Sequence, residues 1–122
     1  MKIALTFKEI NGLLPTMSRI MQEKLSYDIS YKLFRVAKSM DEANDYFVKK
    51  YQEIQASEED GKDEKINQLA STKVELSADY IPEQELVKAL KEANAKVTPV
   101  DILSLMSIAE PEVQESGFTI IS

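Results

Sequence analysis

The sequence predicts a mainly α fold: a helical hairpin around one long helix at about 27–57, with short C-terminal helices and a small β-sheet formed by 2–7, 73–76 and 117–121. Three observations predict it. Apolar residues recur at helical steps from Ile29 to Ile54, and residues 16–60 contain no glycine or proline. Strand-like alternation is confined to short segments near the two ends and at Val74. The 122 residues, 43% hydrophobic and 30% charged, suit a single domain, 1–122, with a modest core that needs no covalent staple.

At the N-terminal end, Ile3, Leu5 and Phe7 share one side of an extended segment, opposite Lys2, Ala4 and Thr6. Ile10, Leu13, Leu14, Met17, Ile20, Met21 and Leu25 then recur at three- and four-residue steps, which is one face of a helix. Pro15 interrupts it, because proline is comfortable only in a first helical turn. The expectation is a short turn ending near Leu13 and a helix proper from about Leu14 to Lys24, with a kinked single helix as the alternative.

Ser26 is placed to cap the long helix, and Asp28 in its first turn suits the helix dipole. Ile29, Leu33, Val36, Met40, Ala43, Phe47, Tyr51 and Ile54 follow steps of 4, 3, 4, 3, 4, 4 and 3. The extra four-residue step at Tyr51 breaks the heptad, so the stripe is not a uniform coiled-coil seam. At 1.5 Å per residue the helix is about 45 Å long, more than the diameter of a compact domain this size. Part of it must project or pack outside its own core.

Glu58-Glu59-Asp60-Gly61-Lys62-Asp63-Glu64 is a polar reversal. Lys65–Ser71 reads as a short returning helix and Lys73–Leu76 as a second strand. Pro82 suits the first turn of a helix through Leu86, Val87, Leu90 and Ala93. Thr98-Pro99 is a cap followed by proline at the first helical position. It opens a helix carrying Ile102, Leu103, Leu105, Met106 and Ile108, which stops before Pro111. Gly117–Ile121 has strand composition. A lone terminal strand is an open edge, so one terminal strand is expected to pair near Val74–Leu76, or the two with each other.

Composition excludes most site chemistry. Cysteine, histidine and tryptophan are absent. There is therefore no thiolate nucleophile, no Ser–His relay and no usual zinc site. Glu58-x-Asp60-Gly61 fails as a calcium loop, because Ala56 and Asn67 stand where carboxylate ligands belong. Three glycines cannot build a phosphate-cradling loop. Acid pairs such as Asp41-Glu42 fall on the polar face of the long helix, where charge is usually solvated. No catalytic, cofactor-binding or metal residue is assigned, no cofactor is expected, and the protein is read as non-enzymatic.

Charge is unevenly spread. Residues 1–73 hold 12 basic and 12 acidic side chains, whereas residues 74–122 hold three basic and nine acidic ones, the whole of the net −6. Neither half offers the basic surface that nucleic acid requires. The sequence has no secretory-type N-terminal run and no window apolar enough to span a membrane. The acidic part keeps the protein soluble or meets a basic protein surface.

One stripe stands outside the main apolar face. Tyr27, Tyr31 and Phe34 follow steps of four and three beside it, and tyrosine is favoured at interfaces. Two outcomes are open: helices 14–24 and 99–109 cover the stripe, or it contacts a protein partner or a second copy. Met17, Met21, Met40 and Met106 read as core filler.

Leu25-Ser-Tyr-Asp-Ile-Ser-Tyr-Lys-Leu-Phe-Arg-Val-Ala-Lys, the long charged helix ending Tyr51-Gln-Glu-Ile, then Val74-Glu-Leu, Ile81-Pro82 and Val97-Thr-Pro-Val-Asp-Ile-Leu form a recognisable order of segments. In that order the chain, over residues 8–108, resembles small acidic helical proteins of unknown function from tailed bacteriophages and prophages of Gram-positive bacteria. The Gly117–Ile121 strand departs from the shorter family ending. The resemblance implies a phage protein located in the host cytoplasm or the virion, and carries no catalytic residue. Two functions follow as expectations: a structural or assembly role through protein–protein contacts, or inhibition of a host defence protein through an acidic surface.

Overall fold

The computed structural model describes residues 1–110; the expected strand at 117–121 lies outside the described residues. Strand β1 (Lys2–Thr6) buries Ile3 and Leu5, as the alternation requires. It ends one residue before the expected position because of a capping box. The Thr6 hydroxyl accepts from the Glu9 N–H at 3.1 Å, and the Glu9 carboxylate accepts from the Thr6 N–H at 2.8 Å. That cap turns Phe7 into the first residue of helix α1 (Phe7–Ile20).

Helix α1 is one element, and neither the break before Leu14 nor the extension to Lys24 is found. Pro15 sits inside it. Asn11, Gly12 and Pro15 are all exposed, so the Asn11 carbonyl that loses its i+4 donor faces water instead of the core. The helix closes at Met21, whose N–H bonds to the Met17 carbonyl, and the Gln22 and Glu23 N–H groups tighten the turn onto Arg19 and Ile20.

Helix α2 (Tyr27–Ala56) is the predicted long helix, within one residue. Ser26 holds the N-cap position, but its side chain makes no capping bond. The core face runs through Ile29, Leu33, Val36 and Met40, all at most 3% exposed. Beyond Met40 no α2 residue is buried, and helix α3 (Lys62–Ala70), which returns against α2, buries none. The last sixteen residues of α2, about 24 Å, thus form with α3 an arm that holds no buried residue and packs on the main core through partly buried Ala43, Phe47 and Leu69. Phe7 joins the arm to the body, its ring 5.2 Å from Phe47 and 6.0 Å from Tyr46. Helix α3 begins three residues earlier than expected. Gly61 takes a left-handed φ of 79° as its N-cap, and Asp63 and Glu64 follow in the first turn.

Strand β2 (Lys73–Asp79) pairs antiparallel with β1, with Leu5 opposite Val74 and Ala4 opposite Glu75. The pairing expected near Val74–Leu76 is therefore present, and β2 runs three residues further than predicted. An irregularity between Lys2 and Ala4 sets Lys2 opposite Asp79. There the Ser77 N–H donates to the buried Ser39 hydroxyl of α2 at 2.8 Å.

Strand β3 (Ile81–Pro82) leads into helix α4 (Glu83–Glu92), with Pro82 at the cap and not in the first turn. Asn94, at φ 52°, ends α4 in a Schellman motif: the Ala95 and Asn94 N–H groups bond to the Leu90 and Lys91 carbonyls. Helix α5 (Pro99–Leu105) opens as predicted, on Thr98 with proline at its start, and Asp101 completes a capping box that the sequence reading did not contain. A 3-10 turn (Met106–Ile108) and strand β4 (Ala109–Glu110) follow. Strand β4 pairs parallel with β3, a bridge that the sequence reading did not contain.

Candidate functional site

The periodicity of α2 sets Tyr27, Tyr31 and Phe34 along one side of the helix, away from the Ile29–Met40 core face. Their rings stack into a ladder, with centroids 6.4 Å and 6.5 Å apart. Tyr27 is 82% exposed, Tyr31 49% and Phe34 50%. Among the described residues Tyr27 is open to solvent, and Tyr31 and Phe34 are each half-covered. Helix α1 meets the core face of α2, and α5 packs on α1. Of the two outcomes open for the stripe, full cover by helices 14–24 and 99–109 is not found among the described residues.

An ion pair joins α5 to α1. The Asp101 carboxylate, 2% exposed, is gripped by the Arg19 guanidinium through two hydrogen bonds, one of 2.9 Å, and also accepts from the Thr98 N–H at 3.0 Å. The Arg19 contacts first, and the Thr98 N–H after them, hold the Asp101 carboxyl well below the usual carboxylate range. Asp101 also holds Arg19 above its ordinary value. Both partners are consumed in joining α1 to α5.

The ladder borders a groove between α2 and β2, made of three adjoining hollows of about 400, 320 and 260 Å³. Tyr31 and Arg35 are shared by the first two, and Ser39, Glu42 and Ser77 by the last two. On the strand side the groove follows consecutive residues from Val74 to Pro82. Ser39 and Ser77, with hydroxyl oxygens 3.1 Å apart, mark its middle. Lys32 is paired with Glu85 at 2.6 Å, and Asp79 with Lys2 at 3.6 Å. Arg35 and Lys38 make no ion pair among the described residues.

The sequence reading missed a second apolar surface. Of the apolar residues read into the helix that Thr98-Pro99 opens, Leu105 and Ile108 are buried and Met106 is partly so, whereas Ile102 is 43% and Leu103 73% exposed. The signal was there: Val100, Ile102, Leu103, Leu105 and Met106 surround a seven-residue helix, and one core cannot take every side of it. Met17 and Met40 are core filler as expected, and Met106 packs partly against the core. Met21 is exposed, because the helix closes there. Asp41, Glu42 and Asp45 are exposed, as predicted for a polar face. Among the described residues no three carboxylates gather as a metal site, and no helix is long and apolar enough to cross a membrane. Comparison with protein-family models, curated proteins and solved structures finds no match to this chain.

Proposed function

We propose that the protein is a non-enzymatic phage protein that acts through protein–protein contacts, in a structural or assembly role in the virion. The observation that carries the contact reading is the exposed Tyr27–Tyr31–Phe34 ladder on the body half of α2. A contiguous aromatic stripe exposed on a water-soluble surface costs solvation free energy unless another surface covers it. Stacked tyrosines offer large, stiff contact area at little conformational cost. The order of segments shared with small acidic phage proteins supports the origin. Two measurements test the proposal. Mass spectrometry of purified particles from the encoding phage is expected to find the chain at stoichiometric level. Light scattering at micromolar concentration is expected to show association, alone or with virion proteins, that Tyr31→Glu removes. A strictly monomeric mass throughout, unchanged by Tyr31→Glu, refutes the contact reading.

A further inference from the structure

Helix α5 carries more apolar surface than the body covers, and much of it faces α4. The two helices and the turn between them flank a groove of about 340 Å³. On the α4 wall Val87, Leu90 and Lys91 fall at i, i+3 and i+4, with Asn94 a turn further on. On the α5 wall Ile102, Leu105 and Met106 repeat the same three- and four-residue steps. Leu90 and Leu105 are buried, Val87 and Met106 half-buried and Ile102 exposed, so the apolar surface runs from the core out to solvent. Val100 and Leu103, 68% and 73% exposed, widen it on α5. Rows at this spacing are the ridges against which another helix packs its own apolar row. Neither wall is a strand, so no backbone edge is offered to an extended segment.

The rim gives the charge of the occupant. Among the described residues that line the groove, Lys91 alone is charged. Lys96 stands between Ala95 and Val97 of the connecting turn, and neither lysine makes an ion pair among the described residues. At about 100° per residue, passing around α4 from Val87 meets Lys91 after about 40° and Lys88 after about 100°, before Glu92 at about 140°. Glu83 and Glu92 line the neighbouring hollow with Lys88, not the groove. The carboxylate of α5, Asp101, is buried in its pair with Arg19. The rim is therefore positive on a chain of net charge −6. A second copy docked two-fold across this face would bring like lysines together, whereas a partner with acidic flanks complements them.

We propose that the groove between α4 and α5 binds an amphipathic, acidic helix of a partner protein. Its apolar row lies in the groove and against Leu103, and its acidic flank meets Lys91 and Lys96. The groove shares no residue with the Tyr27–Tyr31–Phe34 ladder, so this is a second interface, beyond the contact reading above.

The test titrates the 122-residue protein, by fluorescence anisotropy, with three labelled peptides. The first is a helical peptide with leucines at i, i+3, i+4 and i+7 and glutamates on its flanks. The second carries lysine for each glutamate, and the third has the first's composition with leucine and glutamate strictly alternating. The first is expected to bind about ten-fold or more tightly than either of the others. Ile102→Glu is expected to weaken that binding by about ten-fold or more, and Lys91→Glu/Lys96→Glu to remove the preference for glutamate over lysine. All three residues are exposed, so the circular dichroism spectrum and melting temperature should not change. Tyr31→Glu is expected to leave the peptide affinity as it was, which separates this groove from the ladder. Absent binding, equal binding of the first two peptides, or equal binding of the alternating one overturns the proposal. So does binding that Ile102→Glu leaves intact or that Tyr31→Glu abolishes. Self-association lost in Ile102→Glu overturns it by making the occupant a second copy. Binding that emerges only after removal of residues 111–122 does so by making the chain's own C-terminal residues the occupant.

Discussion

Truncating Leu33 and Ile54, two apolar residues of the same helical stripe, should give very different losses of stability. Leu33 is 0% exposed and packs in the core shared by β1, α1 and α2. Its truncation to alanine removes transfer free energy and leaves a cavity that close-packed neighbours cannot fill, at a cost of about 2–5 kcal/mol. Ile54 is half-buried in the arm, where neither α2 beyond Met40 nor α3 holds a buried residue. Solvent already reaches that site, so Ile54→Ala forfeits about half a buried side chain's transfer free energy, roughly 1 kcal/mol. For a chain of this size these losses lower the melting temperature by roughly 8–20 °C and roughly 4 °C respectively. Urea unfolding followed by circular dichroism, with linear extrapolation and an unchanged slope, measures both. Native-state hydrogen exchange should show the same gradient, with amides of α3 and the distal part of α2 opening before those around Leu33. Equal losses for the two substitutions, or a larger one for Ile54→Ala, would refute the division into body and arm.

The Arg19–Asp101 pair makes stability pH-dependent. Asp101 is more acidic folded than unfolded, so its contribution is complete above the ordinary carboxylate pKa of about 4 and is lost as pH falls below it. Asp101→Asn should therefore melt lower at pH 7 and lose less on acidification than the parent, as thermal melts between neutral and acid pH will show. Ser39→Ala strips the Ser77 N–H of its acceptor and should cost about 1 kcal/mol in the same urea assay, while Ser39→Thr, which keeps the hydroxyl, should cost less. In α1, an added Cβ at exposed Gly12 meets nothing within 4 Å, so Gly12→Ala should stabilise by about 0.5–1 kcal/mol. Pro15→Ala, which restores a donor to the Asn11 carbonyl, should also raise the melting temperature; a lower one for either variant contradicts the solvent-facing account of that turn.

Local rules made much of the fold legible in the sequence. The long helix, the cap that opens α5 and the pairing of β1 near Val74 follow from apolar periodicity, cap chemistry and the cost of an open strand edge. The Thr6-x-x-Glu9 box and the glycine start of α3 were local too. They were passed over because the alternation through Phe7 and the charge run at 58–64 masked them. Of the candidate site, Tyr27, Tyr31 and Phe34 were visible from helical spacing. The spacing could not say whether they would be covered, since that depends on where the other helices pack, and α5 is joined to α1 by an ion pair between residues 82 positions apart. Arg35, Lys38 and Glu42 came to line one hollow only when β2 packed beside α2. Pro15 inside a helix is the same lesson in the backbone: proline's cost depends on whether the orphaned carbonyl meets water or core. The sequence determined what each segment prefers, because helix period, caps and turn residues act within a few positions. The tertiary structure decided which preferences end in contact with water, because burial is set by neighbours remote along the chain.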